Sequence, residues 1–123
     1  MTKYRLILFF LFSIGISLNI SAGPLSDSDF ENILYFEEAP AGMELRQVNS
    51  DENFDSLISK YEQDQEDYFN ISVEIVSVIS SDDNVIGLVL RLYGIDQHHY
   101  DYSQDLIIVN GEVAYESDWE YDG

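Results

Sequence analysis

The chain has 123 residues, with 24 Asp and Glu against 5 Lys and Arg, a formal charge of −19 and no cysteine. This balance excludes ordinary nucleic-acid binding, which needs a basic footprint, and argues against docking on an anionic membrane or wall. Disulfides and a cysteine nucleophile are excluded outright, so a single domain of this length must rely on its core.

Lys3 and Arg5 open the chain, an almost unbroken apolar run follows from Leu6 to Leu18, and Ser21-Ala22-Gly23 supplies small residues. That order is the signature of a secretory signal peptide, expected over residues 1–22 with cleavage after Ala22. The run is short for a bilayer span. Residues 23–123 would remain as one acidic domain. Cleavage removes two bases and no acid, taking the formal charge from −19 to −21 and leaving Arg46, Lys60 and Arg91 as the only Lys and Arg. Such a field steers cationic partners and speeds their association. An exported domain without disulfides points to a bacterial periplasm rather than a eukaryotic extracellular space.

Gly23–Asn32 is polar, and residues 26–37 fit helix or strand equally well. Ser26, Asp27 or Ser28 can cap a helix carrying Phe30, Ile33 and Leu34, while Ile33 and Tyr35 can also alternate with Leu34 and Phe36. Glu37–Gly42 is a breaker, and Met43–Val48 alternates as a strand does. Ser50–Tyr61 reads as the clearest helix: Ser50 is a good N-cap, Asp51 and Glu52 suit the helix dipole, and Phe54, Leu57, Ile58 and Tyr61 form one apolar stripe. Glu62–Asp67 is a charged loop.

The densest apolar pattern lies between Asn70 and Tyr93. Ile71, Val73 and Ile75 alternate on one run and Ile86, Leu88, Leu90 and Leu92 on the next, around the polar turn Ser81-Asp82-Asp83-Asn84. Leu106–Val109 and Glu112–Tyr115 then flank Asn110-Gly111, the strongest short hairpin signal. Two consecutive hairpins after one helix predict an α+β domain, an antiparallel sheet of about five strands with one helix packed on one face.

No GxSxG elbow occurs, and nothing singles out a glycosidase-type pair among 24 carboxylates, so no enzyme is expected. His98 and His99 stand near Asp96, Asp101 and Asp105, but adjacent histidines on an extended chain project apart, and neither a metal nor a cofactor is expected. Asp82-Asp83-Asn84 is too short for a calcium loop. The segment after the central hairpin reads better as a contact surface. Tyr93, Tyr100 and Tyr102 offer large area with a polar tip. Asp96, Asp101 and Asp105 offer charge to a basic partner, and His98 and His99 offer hydrogen-bond donors. The C-terminal tail repeats the recipe with Glu116, Asp118, Trp119, Glu120 and Tyr121.

On its leader MTKYRLILFFLFSIGISLNISAG, its size and its acidic, aromatic segments, the chain resembles the periplasmic immunity proteins of bacterial type VI secretion systems. The likeness is to the partners of VgrG spike proteins that carry a C-terminal peptidoglycan hydrolase. The resemblance implies an inhibitor without cofactor that occupies the substrate groove of a basic, lysozyme-like effector, and it leaves room for a homodimer. No residue motif defines that family, so the contact residues above rest on the loop argument alone. An exported carbohydrate- or wall-binding module, with Trp119 and the tyrosines stacked on sugar rings, is the alternative. A cation-buffering secreted protein is a second.

Overall fold

The computed structural model describes residues 25–123, and the expected leader lies outside them. Six antiparallel strands form one sheet: β1 (Glu44–Arg46), β2 (Phe69–Ser81), β3 (Asn84–Ile95), β4 (Asp101–Val109), β5 (Glu112–Glu116) and β6 (Glu120–Tyr121). They run in the order β1-β2-β3-β4-β5, with β6 pairing the start of β4 beyond the end of β5. Two short helices, α1 (Asp27–Phe36) and α2 (Asp55–Ile58), and a 3₁₀ turn (Ser59–Tyr61) complete the fold. The helical content is therefore divided over two elements instead of the single helix expected.

Alternate residues of the central strands supply two separate cores. Leu88, Leu90 and Leu92 of β3 join Leu106 and Ile108 of β4 and Ile71 and Val78 of β2, against which Phe54, Ile58, Tyr61, Tyr68 and Trp119 pack. Val89, Ile107 and Ile79 point the other way and are buried with Phe30 and Ile33 of α1. Ile71 and Val78 share a face despite odd spacing because the register shifts at Val76: Ile75 pairs Leu90, whereas Ser77 pairs Val89. One extra residue there flips the pattern. Ile86 sits at a second irregularity and stays outside both cores, since Ile79 pairs Gly87 and Ser80 pairs Val85.

The structure decides residues 26–37 as helix, and the reason is a capping box. Ser26 Oγ accepts from Asp29 N–H at 3.2 Å, and Ser26 N–H donates to Asp29 Oδ2 at 2.8 Å. The helix expected over Ser50–Tyr61 shrinks to Asp55–Ile58 plus the 3₁₀ turn. Its supposed first turn is committed elsewhere. Glu52 accepts from Arg46 Nη1 and Nη2 at 2.8 and 2.7 Å and from the Asn49 N–H at 2.8 Å. Those bonds tie residues 49–52 to β1 as a turn, and Leu57 is left 39% exposed. The strand expected over Met43–Val48 keeps only Glu44–Arg46.

Arg46 holds the Glu52 carboxyl down at about 2, with the Asn49 N–H bond adding to the effect. A carboxylate with a depressed folded-state pKa stabilises the fold above its unfolded value near 4.5 and loses that contribution as pH falls through the folded value. The stability advantage of the native chain over Glu52→Gln is thus expected to be complete at neutral pH and to fade between pH 4.5 and about 2. Urea titrations of both proteins across that window check it, and a pH-independent difference would show that the pair contributes no charge-linked stability.

Both predicted hairpin turns form. Asn110 and Gly111 have φ of 53° and 82°, and Asp82 and Asp83 have φ of 51° and 64°. The second turn is therefore a tight two-residue one, built from two aspartates in the left-handed region. Each L residue there costs about 1–2 kcal/mol relative to glycine at the extreme, less for Asp. Asp83→Gly is expected to stabilise the domain by about 1 kcal/mol, read as a rise in thermal midpoint. No rise would mean that Asp83 is held by contacts that offset its strain.

Candidate functional site: an aromatic row at one end of the sheet

The end of the sheet opposite the Asp82-Asp83 turn gathers three segments: the residues before β2, the β3–β4 loop, and the C-terminal tail. A tight loop reverses the chain between β3 and β4. Asp96 Oδ1 accepts from the N–H groups of His98 and Tyr100 at 2.9 and 3.0 Å, and His99 takes φ of 66°. Asp96 thus shapes the loop, and a short polar side chain that bonds its own backbone is suited to that task.

β6 brings the tail alongside. Tyr102 pairs Tyr121, the Asp122 N–H donates to the Asp101 carbonyl at 2.9 Å, and Ser103 Oγ donates to Asp122 Oδ1 at 2.8 Å. Upstream, the Ser117 N–H donates to the Asp105 carbonyl at 2.9 Å, while Ser117 Oγ accepts from the Asp105 N–H at 2.8 Å. Buried Gln104 donates through Nε2 to the Ser117 carbonyl at 2.8 Å and to Glu116 at 3.2 Å.

The result is a continuous row of rings. His98 lies 6.2 Å from Tyr100, Tyr100 5.9 Å from Tyr121 in an edge-to-face arrangement, Tyr121 5.6 Å from Tyr102, and Tyr102 5.3 Å from Tyr68. Tyr68 stacks on Trp119 at 4.4 Å with planes 20° apart. Tyr100 and Tyr121 are the most exposed tyrosines of the row, at 54% and 60%. Partial burial and the nearby Asp96 carboxylate raise the pKa of the Tyr102 hydroxyl above the usual phenol value, so it remains a donor at neutral pH.

The expected contact residues divide three ways. Tyr100, Tyr102, His98 and Trp119 come together in the row, with Asp96 beneath its loop and Asp101, Asp118 and His99 exposed around this end. Tyr93 does not join them. It follows the odd-numbered residues of β3 onto the α1 side, where its hydroxyl donates to Glu74 Oε1 at 2.7 Å, a bond that raises its pKa. Asp105 lies on that side as well and accepts from Arg91 Nε at 2.8 Å. Glu116 is held by Gln104. Trp119 is half-buried against the first core, so it anchors the row and does not lead it. Sequence reasoning missed Tyr68 and left Tyr121 among the tail residues; the period-two spacing of Trp119 and Tyr121 is the signal of the short strand that seats them.

Chemically, the row offers wide, rigid, amphipathic area with carboxylates at its margin. It does not offer a flat platform, because neighbouring rings meet edge-on or tilted and one face of Trp119 is covered by Tyr68. Among the described residues, no group of three or more His, Asp or Glu is arranged to hold a metal ion, and no helix is long and apolar enough to cross a membrane. No family model matches the chain, and neither the curated proteins nor the solved structures contain a significant match.

Proposed function

We propose that the chain is a periplasmic immunity protein, exported by its leader, that inhibits a secreted peptidoglycan hydrolase by covering its active-site cleft. The observation that carries this reading is the pair of exposed rings, Tyr100 and Tyr121, packed edge to face at the end of an acidic sheet. Aromatic residues of this kind are enriched at protein interfaces, where they give area at little entropic cost. A hydrolase that grips an anionic wall needs a basic groove, and a domain with charge near −20 is its electrostatic complement. A sugar-binding module is less well supported, since stacking on a glycan calls for open, coplanar ring faces.

The test is inhibition of wall lysis by the peptidoglycan hydrolases encoded beside this gene, using the periplasmic form recovered from cells that express the full chain. Equimolar protein is expected to stop one of them. The Tyr100→Ala, Tyr121→Ala double variant is expected to weaken inhibition by at least about 30-fold, the scale of a hot-spot loss of 2 kcal/mol or more. Full activity of every such hydrolase at equimolar dose would overturn the proposal.

A further inference from the structure

On the α1 side of the same end, the sheet is not covered. The side chains of α1 that are buried there, Phe30 and Ile33, meet Ile79, Val89 and Ile107, all nearer the other end. Beyond them an open cavity of about 370 Å³ has Ser72, Tyr93, Gly94, Asp101 and Asp122 in its lining. We infer that this cavity receives an arginine side chain of a protein partner. The inference deepens the reading above by naming the chemistry of one anchor, and the partner's identity as a hydrolase rests on that reading.

Three features of the cavity carry it. First, its polar groups are fixed before any partner arrives. The Tyr93 ring is tethered through its hydroxyl to Glu74, and Asp122 is clamped by its N–H to the Asp101 carbonyl and by Oδ1 to Ser103 Oγ. Second, the Asp101 carboxylate receives no side-chain or backbone hydrogen bond from the described residues, and Asp122 Oδ2 is likewise left as a free acceptor. Carboxylates beside the Tyr93 ring in a cleft suit a planar guanidinium, which bonds in a fork and stacks on a ring, better than a compact ammonium. Third, the described chain holds only three Lys and Arg, and both arginines are already in ion pairs. Arg46 is tied to Glu52, Arg91 to Asp105, and Lys60 lies over the Tyr61 ring at 5.2 Å. A second copy of this chain would bring the same shortage and the same negative charge, so the cation comes from a different, basic protein.

The test is an NMR titration of the full chain's exported form with N-acetyl-arginine amide, and in parallel with N-acetyl-lysine amide and with calcium, at physiological salt. Saturable shifts centred on Ser72, Tyr93, Gly94, Ser103 and Asp122 are expected with the arginine probe, several-fold weaker with lysine. The Asp101→Asn, Asp122→Asn variant is expected to weaken arginine binding about tenfold while its thermal midpoint holds. Equal response to lysine, a calcium response at the same residues, shifts spread over the whole acidic surface, or no saturation would each overturn the inference. The two claims fail separately. Hydrolase inhibition that survives the double Asn substitution sinks the arginine anchor alone, whereas arginine binding without inhibition of any hydrolase sinks the immunity reading alone.

Discussion

Gly87→Ala is expected to destabilise the domain by about 3 kcal/mol or more, at the upper end of what overpacking costs. Gly87 lies in β3, paired with Ile79 of β2 on one side and Val109 of β4 on the other. A Cβ added there would overlap the Ile108 carbonyl oxygen and sit 3.4 Å from the Val109 Cα. Every atom it meets is backbone, so no side chain can swing aside, and relief requires β4 to move away from β3. That shift would disturb Leu88 and Ile108, which face each other in the larger core. A domain of about 100 residues is typically stable by only 5–15 kcal/mol, so the loss is a substantial share. Urea unfolding measures it directly; with a slope of about 1–3 kcal/mol/M the midpoint should fall by 1 M or more. An unchanged midpoint would mean that the β3–β4 pair has slack at this position.

The second large effect concerns Trp119, the only tryptophan in the chain. It stacks on Tyr68, donates from Nε1 to Gln65 Oε1 at 3.2 Å, and packs over Gly94, whose missing side chain makes room for the ring. Removing a fully buried tryptophan costs about 3–5 kcal/mol, and a half-buried one correspondingly less. Trp119→Ala is expected to cost about 2–3 kcal/mol. It should also unseat the tail, because the ring fixes the chain between Ser117 and β6. Tyr121 would then lose its place beside Tyr100 and Tyr102. Trp119→Phe keeps a ring to stack on Tyr68 but loses the Gln65 bond and the indole tip over Gly94, so it should retain only part of the stability. Gly94→Ala gives an independent check: the added Cβ would stand 3.4 Å from the indole tip and 3.3 Å from Ile71 Cγ1, shifting the tryptophan fluorescence. A stability change in Trp119→Ala below about 0.5 kcal/mol, the scale of an ordinary surface substitution, would show that the tail is held by its backbone bonds alone.

The resulting site differs from a surface loop decorated with aromatics. Tyr68 precedes β2, Tyr100 and Tyr102 follow β3, and Trp119 and Tyr121 close the chain, yet their rings form one row. Long-range β pairing assembles them, so the row is only as stable as the pairing of β4 with β6. That coupling explains why changes in the sheet and at Trp119 are expected to affect both folding and the placement of the row.

Several parts of this architecture were legible in the residues alone. Alternation of Ile, Leu and Val between residues 70 and 109 determined the two hairpins, because side-chain direction in a strand is a local property with period two. Asn110-Gly111 determined its turn, because few residues accept positive φ twice in succession. Tertiary structure alone decided the rest. Glu52 left its expected helix for Arg46, a partner on another element, and no periodicity records such a choice. The extra residue at Val76 moved Val78 onto the face of Ile71, which depends on what β3 presents opposite. Tyr93 was separated from Tyr102 by one residue's parity on each strand, and the tail was brought to β4 by backbone pairing together with side-chain bonds of Gln104, Ser117 and Trp119 to residues far away in the chain. Local conformation follows from side-chain chemistry and spacing, whereas the choice of partner depends on which groups the folded sheet brings within reach.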